Sequence, residues 1–129
     1  MFVPKRLVAA AAAALALVAL AAPAGAKDGD ILVQGRCTGP STAKLKLSPE
    51  NGRIEVEFEV DQNRNGVRWT VGLRQNRALV ASGARLTRAP SGSFELRRLL
   101  VNRPGPDVIR ATARRASGEV CTATATWRR

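Results

Sequence analysis

The chain has 129 residues, with 21 Lys and Arg against 10 Asp and Glu, a formal net charge of +11, two cysteines, no histidine and no tyrosine. Without histidine there is no imidazole base and no imidazole metal ligand, and two cysteines cannot build a four-thiolate site. The length suits a single domain.

The first predicted element is a signal peptide over residues 1–26. Lys5 and Arg6 precede an uncharged stretch from Leu7 to Ala22, and Pro23-Ala24-Gly25-Ala26 supplies small residues for cleavage after Ala26. That stretch is shorter than the roughly 20 residues that span a bilayer. No cysteine follows it for lipid attachment, and Lys5-Arg6 is not a twin arginine, so the general secretory route is expected. The product is a secreted domain over residues 27–129, extracellular or associated with the cell envelope, carrying 19 bases and 10 acids once Lys5 and Arg6 are removed. A domain of that size buries only about 60–70% of its unfolded surface, so a covalent staple helps it. In an oxidising compartment Cys37 and Cys121 are the one available pair, and the bridge closes a loop of more than 80 residues. Loop-closure entropy makes such a bridge worth on the order of 4 kcal/mol. The alternative is two free, buried thiols.

Beyond the signal, period-two alternation predicts strands throughout. The first covers Asp30 to Cys37. Ala43, Leu45 and Leu47 alternate with lysines, and Ile54, Val56, Phe58 and Val60 alternate with Glu55, Glu57, Glu59 and Asp61. Trp69, Val71 and Leu73 form the next strand, followed by Leu79–Leu86, Ser93–Val101 and Val108–Arg114. Cys121, Ala123, Ala125 and Trp127 alternate with threonines in the last. Turn-forming residues such as Asn51-Gly52, Asn65-Gly66, Pro104-Gly105-Pro106 and Ser117-Gly118 separate them. No helical period is sustained. About eight short strands predict an all-β domain, an immunoglobulin-like antiparallel β-sandwich in preference to an eight-stranded up-and-down barrel. The segment from Asp107 to Ala113, its Ser-Gly turn and Cys121–Trp127 resemble the closing hairpin of bacterial immunoglobulin-like modules. Trp69 stands where such domains keep a buried strand-C tryptophan. Cys37 on the first strand departs from their pattern, because the bridge then ties the chain ends.

The acidic comb at Glu55, Glu57, Glu59 and Asp61 raises calcium binding or a carboxylate pair for glycoside hydrolysis. Strand pairing explains it more economically. A hairpin at Asn51-Gly52 would set Lys46 against Glu55 and Lys44 against Glu57, with Arg68 and Arg74 facing Asp61 and Glu55 from the other side. The remaining charge is lopsided. Residues 27–76 hold 8 bases and 7 acids, and residues 77–129 hold 11 bases and 3 acids. Arginine forks suit phosphate and carboxylate, so the second half is a candidate polyanion surface, with Arg97, Arg98, Arg110, Arg114 and Arg115 as the expected set. Arg98 faces inward under strict alternation, which requires either a bulge near Leu99-Leu100 or a stem that snorkels past the sheet edge. The competing reading is a merely soluble, arginine-rich surface. Specific nucleic-acid recognition is not expected, since Trp127, beside Arg128-Arg129, is the sole candidate for base stacking.

Catalysis is not expected. The serines fall mostly in turns with no histidine partner, Lys44 and Lys46 point outward, and no phosphate loop opens a helix. No cofactor or metal is implied.

The run from Lys44 to Asp61, together with Asn63-Arg64, Trp69, Ala89-Pro90-Ser91-Gly92-Ser93-Phe94, Ile109–Ala113 and both cysteines, resembles a group of small exported proteins of high-GC Gram-positive bacteria. The resemblance spans most of residues 27–129. It implies secretion and a β fold and carries no functional residue with it. In size the chain also resembles small secreted protease inhibitors and the sandwich apoproteins of enediyne chromophores, which usually hold two disulfides where this chain can form one.

The expected function is a non-enzymatic binding or structural module meeting anionic cell-wall or lipid components. The alternative is a protein-binding module, such as an inhibitor of an extracellular enzyme, using Arg88–Gly92 or Asn102–Pro106 as its loop. Intact-mass analysis of the exported product should find Lys27 at its N-terminus. A cell-bound product retaining Met1 would rule out the signal.

Overall fold

Alternating apolar and polar side chains can be satisfied only if each strand has one dry face, and this chain achieves that with two sheets laid face to face. The structure, a computed structural model, describes residues 28–129. The expected signal segment, residues 1–26, lies outside them. Nine strands occur among the described residues: β1 (Ile31–Gln34), β2 (Arg36–Cys37), β3 (Thr42–Glu50), β4 (Arg53–Asp61), β5 (Arg68–Gln75), β6 (Ala78–Leu86), β7 (Ser93–Val101), β8 (Asp107–Arg115) and β9 (Val120–Trp127). One sheet has the order β1-β3-β4-β7 and the other β2-β9-β8-β5-β6, all antiparallel. Neither closes on itself, so the domain is a sandwich and the barrel alternative is excluded. Trp69, Trp127, Phe58, Leu45, Leu73 and Ile109 are among the fully buried side chains between the sheets, and Trp69 meets Phe94 with ring centroids 6.0 Å apart.

Two sequence expectations need correction. The first strand is not continuous from Asp30 to Cys37. It breaks at Gly35, β1 pairing with β3 in one sheet and β2 with β9 in the other. A β carbon at Gly35 would lie 2.8 Å from the Thr122 carbonyl oxygen and 3.1 Å from the β carbons of both Ala43 and Ala123. Only glycine fits where the chain steps between sheets. The step sets Cys37 directly opposite Cys121, and their sulfurs form a disulfide. Among the described residues no helix is long and apolar enough to cross a membrane.

The hairpin register also differs from expectation. Lys46 faces Glu57, Lys44 faces Glu59, and Ser48 faces Glu55. Asn51 and Gly52, with φ of 49° and 76°, form a two-residue turn that makes Glu50 and Arg53 the closing pair, shifting every later pair by two residues. Arg68 and Arg74 do not face the acidic comb. After β4 the chain crosses to the other sheet, and β7 becomes the second neighbour, bringing Arg97 to Glu57.

Replacing Gly35 by Ala should lower stability by about 1–3 kcal/mol, the cost of overpacking a filled site. Denaturant unfolding measures it, and an unchanged midpoint would contradict the account of the crossing.

Candidate functional site

Each sheet turns its second set of side chains to solvent, and the two outer faces differ in charge. On the four-stranded sheet, acids and bases are paired. Lys46 Nζ lies 2.9 Å from Glu57 Oε2, Lys44 Nζ 3.6 Å from Glu59, and Arg97 donates to Glu55 while its Nε stands 3.9 Å from Glu57. The Glu57 partnership raises the Lys46 pKa above its ordinary value despite partial burial. Glu95, opposite Glu59 in register, is pushed up by burial and by the nearby Glu57 and Glu59 charges.

The outer face of the five-stranded sheet is different. Arg36 (β2), Arg110 and Arg114 (β8), and Arg68 and Arg74 (β5) all project from it and are exposed. The strand positions between them are filled mainly by Thr70, Gly72, Thr112, Thr122 and Thr124. The carboxylates of these five strands and their turns, Asp107 and Glu119, are buried. No salt bridge engages these five arginines among the described residues. Arg110 stands directly opposite Arg74, an arrangement that costs stability in an antiparallel pair. Two clefts open on this face. One of about 710 Å³ is lined by Arg74, Asn76, Arg77, Val108, Arg110 and Thr124. A smaller one of about 260 Å³ runs over Gly72 between Arg74 and Arg114. A third cleft, of about 740 Å³ between β5–β6 and the β7 edge, mixes Glu59 and Glu95 with Arg68, Arg85 and Arg88 and has no single sign.

Of the five arginines expected from the sequence, the structure brings together two, Arg110 and Arg114. Arg97 belongs to the other sheet and is paired there. Arg98 lies opposite Val56 with no register shift along β4 and β7, so no bulge turns it outward. Its half-buried stem passes the edge, and Nη1 donates to the Arg97 carbonyl at 2.8 Å. Arg115 lies over Trp69, 5.7 Å from the ring centroid, and donates from Nε to Glu119 at 2.9 Å. Its place is in the fold rather than on the face. Reasoning from sequence missed Arg36, Arg68 and Arg74. Alternation with Trp69, Val71 and Leu73 already turned Arg68 and Arg74 outward, but the adjacency of β5 and β8 had no signal in the sequence. Trp127, the one stacking candidate, is buried, with Arg129 covering its ring at 4.9 Å.

Glu119 anchors the far end of the domain. It accepts hydrogen bonds from the Ser41 backbone N–H at 3.0 Å, the Ser41 hydroxyl at 2.9 Å and Arg115. Burial on its own would raise its pKa, but the two Ser41 donors and the Arg115 guanidinium outweigh it and hold the carboxyl below the usual range. Cys37, Cys121 and Glu119 lie within 4.8 Å of one another, yet both sulfurs are spent in the disulfide and both carboxylate oxygens are already bonded. The arrangement is that of a structural clasp. At the opposite end buried Asp107 accepts from Gln75, Asn76 and the Arg103 N–H.

Comparison with protein-family models, curated proteins and solved structures finds no match to the chain.

Because the folded Glu119 binds its proton more weakly than the unfolded one, its contribution is complete above the ordinary carboxylate pKa of about 4.3. It is lost as pH falls through its own, lower value. Glu119→Gln should therefore cost about 2–3 kcal/mol near pH 7 and flatten the acid limb of the stability curve. Urea unfolding across pH 2–7 reads both. An acid limb as steep as wild type would contradict the clasp.

Proposed function

We propose that the protein is a secreted, non-enzymatic binding module of the cell envelope or extracellular space that holds anionic polymers on the outer face of its five-stranded sheet. The observation that carries this reading is the segregation of charge. Five exposed arginines share a face whose strands present no carboxylate, while the opposite face sets Lys44, Lys46 and Arg97 against Glu55, Glu57 and Glu59 and carries Glu95 besides. Unneutralised arginines raise the local potential and attract polyanions over the length of the face. Threonine hydroxyls between them add donors that a sugar or polyol backbone can use. The absence of an exposed aromatic among the described residues favours backbone charge over base stacking as the basis of recognition.

Salt is the direct test. Polyanion binding should weaken steeply with ionic strength through counterion release. Arg110→Gln with Arg114→Gln should lower the slope of log affinity against log salt by about 2, one unit per lost contact, with the fold unchanged. Binding to purified cell wall at low and moderate salt supplies the measurement. A slope equal to wild type in the double variant would contradict the proposal. Salt-resistant capture of a secreted protein would favour the alternative, a protein-binding module.

A further inference from the structure

The geometry points to a defined phosphate-binding groove within that basic face, running from Arg114 over Gly72 to a cradle formed by Arg74, Arg77 and Arg110. Its ligand is a linear polymer bearing phosphate groups. This deepens the functional reading above and rests on it.

Three local features coincide at the cradle, and each works against stability. The first is the turn between β5 and β6. The chain makes the same two-residue turn twice. Between β3 and β4 it uses Asn51 and Gly52, with φ of 49° and 76°. Between β5 and β6 it uses Asn76 and Arg77, with φ of 50° and 74°. The second position of this turn favours glycine, and a side chain there sits in a backbone conformation that L residues rarely adopt. Arg77 occupies it nonetheless, and its side chain lines the cleft. The second feature is the like-charged pair Arg74 and Arg110 on adjacent strands. The third is a register shift beside Arg74, where Leu73 pairs with Ala81 but Arg74 pairs with Leu79, leaving Val80 as the extra residue of a bulge. Bulges re-aim side chains next to functional sites. Strain of this kind persists when the surrounding structure enforces it. Here Arg74 and Asn76 enforce it. Arg74 Nη1 donates to the Arg77 carbonyl at 2.9 Å, the Asn76 side chain donates to Asp107 and accepts from the Val108 N–H, and the Asn76 N–H donates to the Val108 carbonyl.

The row Thr124, Arg110, Arg74 then lies across three adjacent strands, with Arg77 entering from the turn. Neighbouring strands are about 4.8 Å apart, so the two guanidinium groups can converge on one tetrahedral anion. An in-chain phosphate presents two free oxygens splayed tetrahedrally, so forks from adjacent strands can each take one, whereas the coplanar oxygens of a carboxylate suit a single side-on fork.

Gly72 makes the cradle continuous with Arg114. It lies in mid-strand between Thr112 and Ser82 on its neighbours. Glycine weakens a strand interior and often marks a bulge or a site where a ligand or another backbone approaches closely. Nothing in the fold requires it here, since an added β carbon would meet only Leu79 Cδ1, at an ordinary 3.5 Å. Its bare backbone floors the smaller cleft, and both clefts share Arg74. A trough with a recessed floor fits a threaded chain better than a flat bilayer surface.

Two substitutions separate this groove from diffuse charge. Arg77→Gly restores the preferred turn residue, so it should raise the melting temperature while weakening binding. Gly72→Val keeps the charge and fills the trough, so it should leave the melting temperature equal or higher while also weakening binding. Titration with inorganic polyphosphate at low salt should show each variant losing about ten-fold in affinity. Arg88→Gln, which removes the same charge as Arg77→Gly but off this face, should lose no more than about three-fold, the expectation for one distant charge. Polyglutamate of matched charge should bind wild type more weakly than polyphosphate. Affinities for Arg77→Gly and Gly72→Val within two-fold of the Arg88→Gln control would overturn the groove while leaving the basic face standing. Equal affinity for polyglutamate would overturn the phosphate assignment. Tighter binding to anionic phospholipid vesicles, insensitive to Gly72→Val, would overturn the polymer in favour of a lipid surface. No binding of wild type to any of these probes would overturn the face and the groove together.

Discussion

A strand with one dry face must send every second side chain to solvent, so the sheet it joins decides which charges become neighbours. That constraint organises this molecule. β4 carries its carboxylates between the lysines of β3 and Arg97 of β7, and the bases of those strands are taken up by Glu55, Glu57 and Glu59. β5 and β8 carry arginines with no acidic strand beside them, and their charge stays uncompensated. The same core that excludes water thus produces two chemically opposite exteriors from one basic chain.

Keeping five strands in the basic sheet requires its edges to be held. Gly35 allows the N-terminal strand to leave one sheet and enter the other, and the Cys37–Cys121 bridge fixes it to β9. Glu119 sits beside that bridge, joining Ser41 to Arg115, which in turn covers Trp69. Asp107 performs the corresponding task at the other end of β8, holding the β5–β6 turn through Gln75 and Asn76. Both buried carboxylates therefore serve to position β8 and its neighbours. The exposed arginines of β8 project from a strand clasped at both ends, so a ligand has their side chains to order but not their backbone.

The alternation at Ile54–Asp61 and Cys121–Trp127 made the strands, their dry faces and the all-β class legible in the sequence. The pairing of Cys37 with Cys121 followed from there being two cysteines. Less legible was anything set by which strands meet. The break at Gly35 depends on Thr122, Ala123 and Ala43 closing around one residue, a contact between distant segments. The registry of Lys44 and Lys46 depended on centring the Asn51-Gly52 turn correctly. The basic surface was sought by position along the chain, which grouped Arg97, Arg98 and Arg115 with Arg110 and Arg114. Strand order divides that set and recruits Arg36, Arg68 and Arg74 instead. Arg98 and Arg115 show a further limit, since each follows alternation inward yet keeps its charge bonded, Arg98 on the edge strand β7 to a carbonyl and Arg115 at the end of β8 to Glu119.

The central claim is that one face, not the net charge, does the binding. Mapping backbone and arginine side-chain resonances during titration with an anionic polymer tests it most directly. The account predicts shifts concentrated at Arg36, Arg68, Arg74, Arg110, Arg114 and the threonines between them, with Lys44, Lys46 and Arg97 unmoved. Shifts spread evenly over both sheets, or centred on the Arg88–Gly92 loop, would contradict it.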